Sequence, residues 1–96
     1  MGAAAVQRRE SSIVASITKL ARARGYWVLK IAGGGFQRPG LPDLLCIKGG
    51  RATFLEVKRP GQKPTAVQCA VMNEIERHGG AACHVVTSRE QADFFL

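Results

Sequence analysis

The chain has 96 residues, of which 14 are Lys or Arg and 7 are Asp or Glu, so its net charge is +7. This length fits a single domain spanning residues 1–96, and a hydrophobic content of 46% excludes a disordered chain. Nine of the basic residues are Arg, which pairs bidentately with phosphate. The charge therefore indicates a polyanionic partner such as nucleic acid, although the same charge can serve solubility alone.

The three cysteines, Cys46, Cys69 and Cys83, form no C-x-x-C pair and are flanked by apolar residues. We expect buried free thiols and a reducing cytoplasm rather than a disulfide framework. The chain has no apolar run of about 18 residues, so we expect no membrane partner. It also has no Walker or dinucleotide motif, so we expect no small-molecule cofactor.

The first half of the chain predicts a helix, a strand and a loop. Apolar residues at i, i+3, i+4 and i+7 spacing predict a helix over Val6–Arg24. Aromatic and β-branched residues predict a strand over Tyr26–Ile31. A Gly- and Pro-rich loop follows over Ala32–Pro42. Within it, Gly33–Phe36 is either a flexible approach to the DNA backbone or a simple connector.

The second half begins with a predicted β-hairpin. Two apolar runs, Asp43–Ile47 and Ala52–Val57, flank Gly49 and Gly50, which suit a two-residue primed turn. A helix is then predicted over Thr65–His78, followed by a short strand and a last helix. Capping-box spacing marks the start of both helices, with Thr65 and Gln68 in the first and Ser88 and Gln91 in the second. The strand between them is predicted over the apolar run Ala82–Val86 and is expected to be buried. The predicted order is α-β-β-β-α-β-α, which is an α/β fold.

The hairpin register brings three charged residues together. With Gly49 and Gly50 as turn residues, Asp43 stands opposite Glu56, and Lys58 shares the face of Glu56. Both faces of the hairpin are otherwise apolar, so we expect both to be covered. Two opposed carboxylates in such a place need compensating positive charge, which Lys58 and a divalent cation can supply.

This constellation predicts phosphodiester chemistry. The oxygen ligands of Asp43 and Glu56 favour Mg²⁺ or Mn²⁺ over zinc. Lys58 can position the attacking water and shield charge that develops on the phosphoryl group. The alternative is a structural ion pair at a strand end, which is what an isolated E-x-K pattern usually represents.

The stretches Gly40–Leu44 and Phe54–Lys58 resemble the PD-(D/E)XK nuclease superfamily. More narrowly, nearly the whole chain is similar to the virus-type replication-repair nuclease domain, VRR-NUC. The resemblance implies a restriction-endonuclease-like core, with a mixed sheet flanked by helices. It also implies a homodimer that acts on Holliday junctions or other branched DNA.

The resemblance further implies roles for individual residues. Asp43, Glu56 and the backbone carbonyl of Val57 would bind the metal, and Lys58 would be the motif lysine. Two further candidates each have a competing interpretation. Glu10 would join the site from the first helix, or it is a first-turn acid favoured by the helix dipole. Gln68 would join from the helix after the motif, although its capping-box role competes with that assignment.

Six basic residues are candidate DNA contacts, although a basic residue taken alone is more often a solvated charge: Lys30, Arg38, Lys48, Arg51, Arg59 and Lys63. We therefore expect a Mg²⁺- or Mn²⁺-dependent endonuclease that cleaves DNA, with selectivity for branched structures. Two alternatives stay open from the sequence: a DNA-binding module that keeps the fold without catalysis, and a restriction-type nuclease with base specificity.

Overall fold

The computed structural model describes residues 9–31 and 38–96. This part of the chain contains three helices and four strands in the predicted order. The helices are α1 (Glu10–Ala23), α2 (Ala66–Arg77) and α3 (Arg89–Phe95), and the strands are β1 (Trp27–Lys30), β2 (Leu44–Lys48), β3 (Arg51–Val57) and β4 (Ala81–Val86). The segment Gly33–Phe36 of the predicted loop lies outside the described residues.

The strands form one mixed sheet in the order β1-β2-β3-β4. The first three strands are antiparallel, and β4 runs parallel to β3. In the hairpin, Leu44 pairs with Leu55 and Lys48 pairs with Arg51, which is the predicted register. Gly49 and Gly50 have φ angles of 59° and 77°, as a primed turn requires. The turn sequence therefore fixes which residues meet at the open end.

Helices α1 and α3 cover one face of the sheet and form the core with it. The buried side chains there are at most 7% exposed: Ile13, Val14, Ile17, Ala21, Leu44, Cys46, Leu55, Val57, Val86 and Ala92. The α1 members recur at helical spacing, and the strand members alternate along β2 and β3. This packing ties the start of α1 to the same sheet that carries the hairpin charges.

The other face of the sheet is only partly covered, so the expectation of a hairpin covered on both sides is wrong. Leu45, Ile47 and Phe54 are half-buried there. On β1, Trp27 and Leu29 stay 57% and 44% exposed. The physical reason is that α2 packs chiefly against β4 at one edge and does not extend over β1 and β2.

Helix α1 begins at Glu10, later than the predicted Val6, which itself lies outside the described residues. Arg9, the residue before α1, has an extended conformation with ψ of 148°. The start of α2 is as predicted, because Thr65 and Gln68 form a complete capping box. The start of α3 differs slightly: the Ser88 hydroxyl accepts from the Gln91 backbone N–H, but the Gln91 side chain accepts from Thr87.

The three cysteines are free, as expected, but they are not all buried. Cys46 is buried, Cys83 is half-buried and Cys69 is exposed. The reason is that Cys69 lies on α2, where only Val71 and Met72 are buried. Within residues 9–31 and 38–96, no helix is both long and apolar enough to cross a membrane.

Candidate active site

Asp43 is positioned by the short segment that precedes it. Gly40 has a φ of +85°, and a Cβ there would lie 2.7 Å from Val67 Cγ1 and 2.9 Å from the Val67 carbonyl oxygen. Pro42 is fully buried. The Asp43 backbone N–H then donates to the Leu55 carbonyl at 3.0 Å, one position beyond the last ladder pair. The Gly-Leu-Pro segment therefore fixes how the chain enters β2.

The Asp43 carboxylate is held by the neighbouring strand. Its Oδ2 accepts a hydrogen bond of 2.7 Å from the Val57 backbone N–H. Partial burial nevertheless raises the pKa of Asp43, and the Glu10 charge raises it further. The Val57 N–H and the charges of Lys58 and Lys30 act in the opposite direction. Burial prevails, so the Asp43 carboxylate lacks the compensation that a stable ion pair would give.

Glu56 is the most unusual charged residue in the described chain, because it is only 2% exposed. Burial, reinforced by the Asp43 charge, raises its pKa from 4.5 to about 7. Lys58 opposes this shift, with its Nζ 3.5 Å from Glu56 Oε2. The other oxygen, Oε1, is buried without a hydrogen-bond partner among the described residues. One lysine therefore does not compensate this carboxylate.

These carboxylates fit a divalent cation. Asp43 and Glu56 are oxygen donors, both have raised pKa values, and one Glu56 oxygen has no partner in the described part of the chain. A bound cation would stabilise both ionised carboxylates, which would lower their pKa values, and would give Glu56 Oε1 a partner. Residues 9–31 and 38–96 contain no group of three or more His, Cys, Asp or Glu side chains arranged as a ready metal site. The neighbouring carboxylates of Asp43 and Glu56 suit Mg²⁺, which commonly keeps several waters and uses one or two carboxylates.

Glu10 lies close enough to this pair for its charge to raise the pKa of both Asp43 and Glu56. It is the first residue of α1, so its position is also that of a first-turn acid. Gln62 lies beside it. The orientation of its amide that satisfies both ends places the nitrogen 3.0 Å from Glu10 Oε2 and the oxygen 2.5 Å from Arg59 Nη2.

Gln68 makes the capping interactions at the start of α2. Its Oε1 accepts from the Thr65 backbone N–H at 2.8 Å, and its own backbone N–H donates to the Thr65 hydroxyl at 3.2 Å. Its side chain is therefore engaged with the helix terminus in this structure. A role for Gln68 in the active site stays a prediction.

The six candidate DNA contacts separate into groups. Lys30 is close enough to influence Asp43, and Arg59 directly follows Lys58. Lys63 is exposed on the loop that follows Arg59. Lys48 and Arg51 flank the hairpin turn, at the end of the hairpin far from Asp43. Arg38 forms a bidentate ion pair with Glu74, at 2.9 and 3.0 Å.

Lys48 is further engaged with the chain itself. Its Nζ donates to the Arg24 carbonyl oxygen at 2.6 Å and lies 5.4 Å from the centre of the Tyr26 ring. Of the six candidates, Lys30 is therefore the one whose charge reaches Asp43, and Arg59 is the one that directly follows Lys58.

A mixed four-stranded sheet with flanking helices, carrying Asp43, Glu56 and Lys58 at the open end of its central hairpin, defines a nuclease-type fold of the PD-(D/E)XK class. Among solved structures, the chain is similar to one described as a VRR_NUC domain, with a TM-score of 0.73 and 33% sequence identity. The match covers 90% of this chain and 91% of that chain. The chain belongs to the VRR-NUC family. No family model and no curated protein matched it.

Sequence reasoning missed Gln62, which the structure brings against Glu10. A signal for it was present in the stretch Arg59-Pro60-Gly61-Gln62. Pro followed by Gly is typical of the two central positions of a type II turn. Such a turn reverses the chain directly after the E-x-K strand and returns the next residue towards the site.

Proposed function

We propose that this protein is a Mg²⁺- or Mn²⁺-dependent endonuclease that hydrolyses DNA phosphodiester bonds. The observation that carries the proposal is the buried Glu56, whose raised pKa and partnerless Oε1 call for a cation beside Asp43. Family membership supports the nuclease assignment. Asp43, Glu56 and the Val57 carbonyl are the proposed metal ligands, with Glu10 as a further acidic group near them.

A cation held by Asp43, Glu56 and the Val57 carbonyl would act as a Lewis acid towards the scissile phosphoryl group and would make the attacking water more acidic. The protein's own residues perform the remaining tasks. The Val57 N–H holds Asp43 in one orientation. Lys58, which directly follows the end of β3 and contacts Glu56, donates to the attacking water and stabilises the charge that develops on the phosphoryl oxygens. Lys30 and Arg59 are proposed to contact flanking phosphates.

The test is a cleavage assay on four-way junction, flap and linear duplex DNA, with Mn²⁺, with Mg²⁺ and with EDTA. We expect cleavage only with metal, at the highest rate on branched DNA. Asp43→Asn and Lys58→Ala should each lower the rate at least about 100-fold, as loss of a transition-state contact does. Asn73→Ala, an exposed substitution on α2, is the control and should cleave normally.

Three outcomes of this assay would count against the proposal. Cleavage that survives Asp43→Asn would remove the assigned site. Metal-independent DNA binding with no cleavage on any substrate would favour a non-catalytic module. Cleavage of linear duplex at a single sequence would favour a restriction-type enzyme, and the branched-DNA preference would then be wrong.

We further propose that the protein acts as a homodimer in a reducing cytoplasm. A domain of this size gains stability from association, and a two-fold pair carries two symmetric sites for a four-way junction. The exposed Trp27 and Leu29 give the open face of the sheet an apolar surface that a second copy can cover. The free state of Cys46, Cys69 and Cys83 supports the proposed reducing cytoplasm. Light scattering that gives a monomer mass at micromolar concentration would contradict the dimer.

A further inference from the structure

The loop after β3 is a defined turn. Gln62 N–H donates to the Arg59 carbonyl oxygen at 3.0 Å, which closes a four-residue turn. Pro60 occupies its second position, and Gly61, with a φ of +85°, occupies its third. This is the pattern of a type II turn, in which only glycine adopts the third position without strain. The direction of Gln62 is therefore set by the Pro-Gly pair.

The turn places the Gln62 amide between two charged groups. The amide is assigned the orientation that satisfies both of its ends, in which its nitrogen donates to Glu10 Oε2 at 3.0 Å and its oxygen accepts from Arg59 Nη2 at 2.5 Å. An amide has a donor end and an acceptor end, so it satisfies a carboxylate on one side and a guanidinium on the other. The chain leaving the E-x-K strand is thereby joined to the first residue of α1.

Glu10 needs such a partner if it is to stay near the site. Three acidic groups, Glu10, Asp43 and Glu56, repel one another: burial raises the pKa values of Asp43 and Glu56, and the Glu10 charge adds to both shifts. A carboxylate in the first turn of a helix is free to rotate towards solvent. A neutral amide donor holds Glu10 in place and leaves its negative charge intact. A lysine in that position would hold it but would neutralise the charge.

We propose that Gln62 is a positioning residue that holds Glu10 beside Asp43 and Glu56, so that the Glu10 charge strengthens cation binding by that pair. Groups that orient the ligands of a metal commonly change its affinity about 10- to 100-fold when they are removed. This inference rests on the proposed function, since the alignment of Glu10 matters only if these carboxylates hold a cation.

The experiment is titration calorimetry of Mn²⁺ into the purified chain, with thermal unfolding recorded in parallel. Gln62→Met keeps the side-chain length and removes both hydrogen bonds. We expect it to weaken Mn²⁺ binding about tenfold. Excess Mn²⁺ should then restore cleavage, which a misfolded protein would not allow.

A pair of glycine variants separates positioning from stability. Gly61 and Gly79 have φ angles of +85° and +75°, and a Cβ at either would meet no atom within 4 Å. Gly61→Ala and Gly79→Ala therefore strain the backbone similarly and lower the melting temperature similarly. Only Gly61→Ala should also weaken Mn²⁺ binding, because it disturbs the turn that directs Gln62.

A double variant tests whether Gln62 acts through Glu10. In a Glu10→Gln background, Gln62→Met should cause no further loss of Mn²⁺ affinity. The proposal is overturned if Gln62→Met binds Mn²⁺ as the wild type does, or if the two losses are additive. A wild-type chain that binds no Mn²⁺ overturns both this inference and the proposed function. Normal binding by Gln62→Met overturns the inference alone.

Discussion

The raised pKa of Glu56 predicts that the metal-free protein loses stability as the pH rises. Glu56 titrates near 4.5 in an unfolded chain and at about 7 in the fold. Below pH 4.5 the group is protonated in both states, so it exerts no penalty. Between about pH 4.5 and 7 the unfolded chain releases the proton while the fold retains it, and the penalty on folding grows through this window. Asp43, whose pKa is also raised, acts in the same direction.

The size of the effect follows from the shift. At 1.36 kcal/mol per pKa unit, a rise from 4.5 to about 7 corresponds to about 3 kcal/mol in the free energy of unfolding. Because Glu56 is 2% exposed, solvent screening reduces this figure little. Between pH 5 and pH 8 the portion lost is about 2–3 kcal/mol, since part of the penalty has already developed at pH 5.

The assay compares wild type with Glu56→Gln, which cannot ionise, by urea unfolding in EDTA at several pH values. The stability advantage of Glu56→Gln over wild type should grow by about 2–3 kcal/mol from pH 5 to pH 8. Glu90→Gln, an exposed substitution on α3, is the matched control and should show no such growth. At pH 8, Mn²⁺ at 100 times its Kd should stabilise wild type by about 2.7 kcal/mol and leave Glu56→Gln unchanged.

A pH-independent difference between wild type and Glu56→Gln would refute this reasoning. It would mean that Lys58 already compensates the Glu56 carboxylate, and that the buried pair is a structural ion pair. The electrostatic reason for a cation at this place would then be gone.

Two further predictions concern the scaffold. Gly40→Ala should destabilise the protein by more than about 2 kcal/mol, because it combines a positive φ with a clash against Val67. Gly50→Ala, which has a positive φ but no atom near its Cβ, should destabilise it by about 1 kcal/mol. Equal urea midpoints for the two variants would contradict the packing of Gly40 on α2. With a thiol reagent at neutral pH, the exposed Cys69 should react fast and Cys46 only on unfolding, since burial raises the pKa of Cys46 to about 11. Mass spectrometry of the labelled peptides measures both rates. Rapid labelling of Cys46 would contradict this prediction and show that the core opens at β2.

Much of the fold was predictable because local chemistry determined it. The Gly49-Gly50 turn set the hairpin register, and the register brought Asp43, Glu56 and Lys58 to one end. Thr65 capped α2 because a hydroxyl followed three residues later by Gln satisfies orphan N–H groups. Each of these features depends on residues close in sequence.

Features that depend on distant packing were not predictable. The open face of the sheet follows from where α2 docks, and hydrophobic patterning along the hairpin does not contain that information. Cys69 is exposed for the same reason. Gln62 meets Glu10 across a large sequence separation, and only the turn that directs it was visible in the sequence.

The central claim is that Asp43 and Glu56 jointly hold a divalent cation. The most direct measurement is a crystal structure of the protein soaked in Mn²⁺, with anomalous scattering recorded to locate the metal. We predict an anomalous peak in contact with the carboxylates of Asp43 and Glu56 and the carbonyl of Val57, and its loss in Glu56→Gln. Mn²⁺ bound only elsewhere, with Glu56 still paired to Lys58 alone, would contradict the claim.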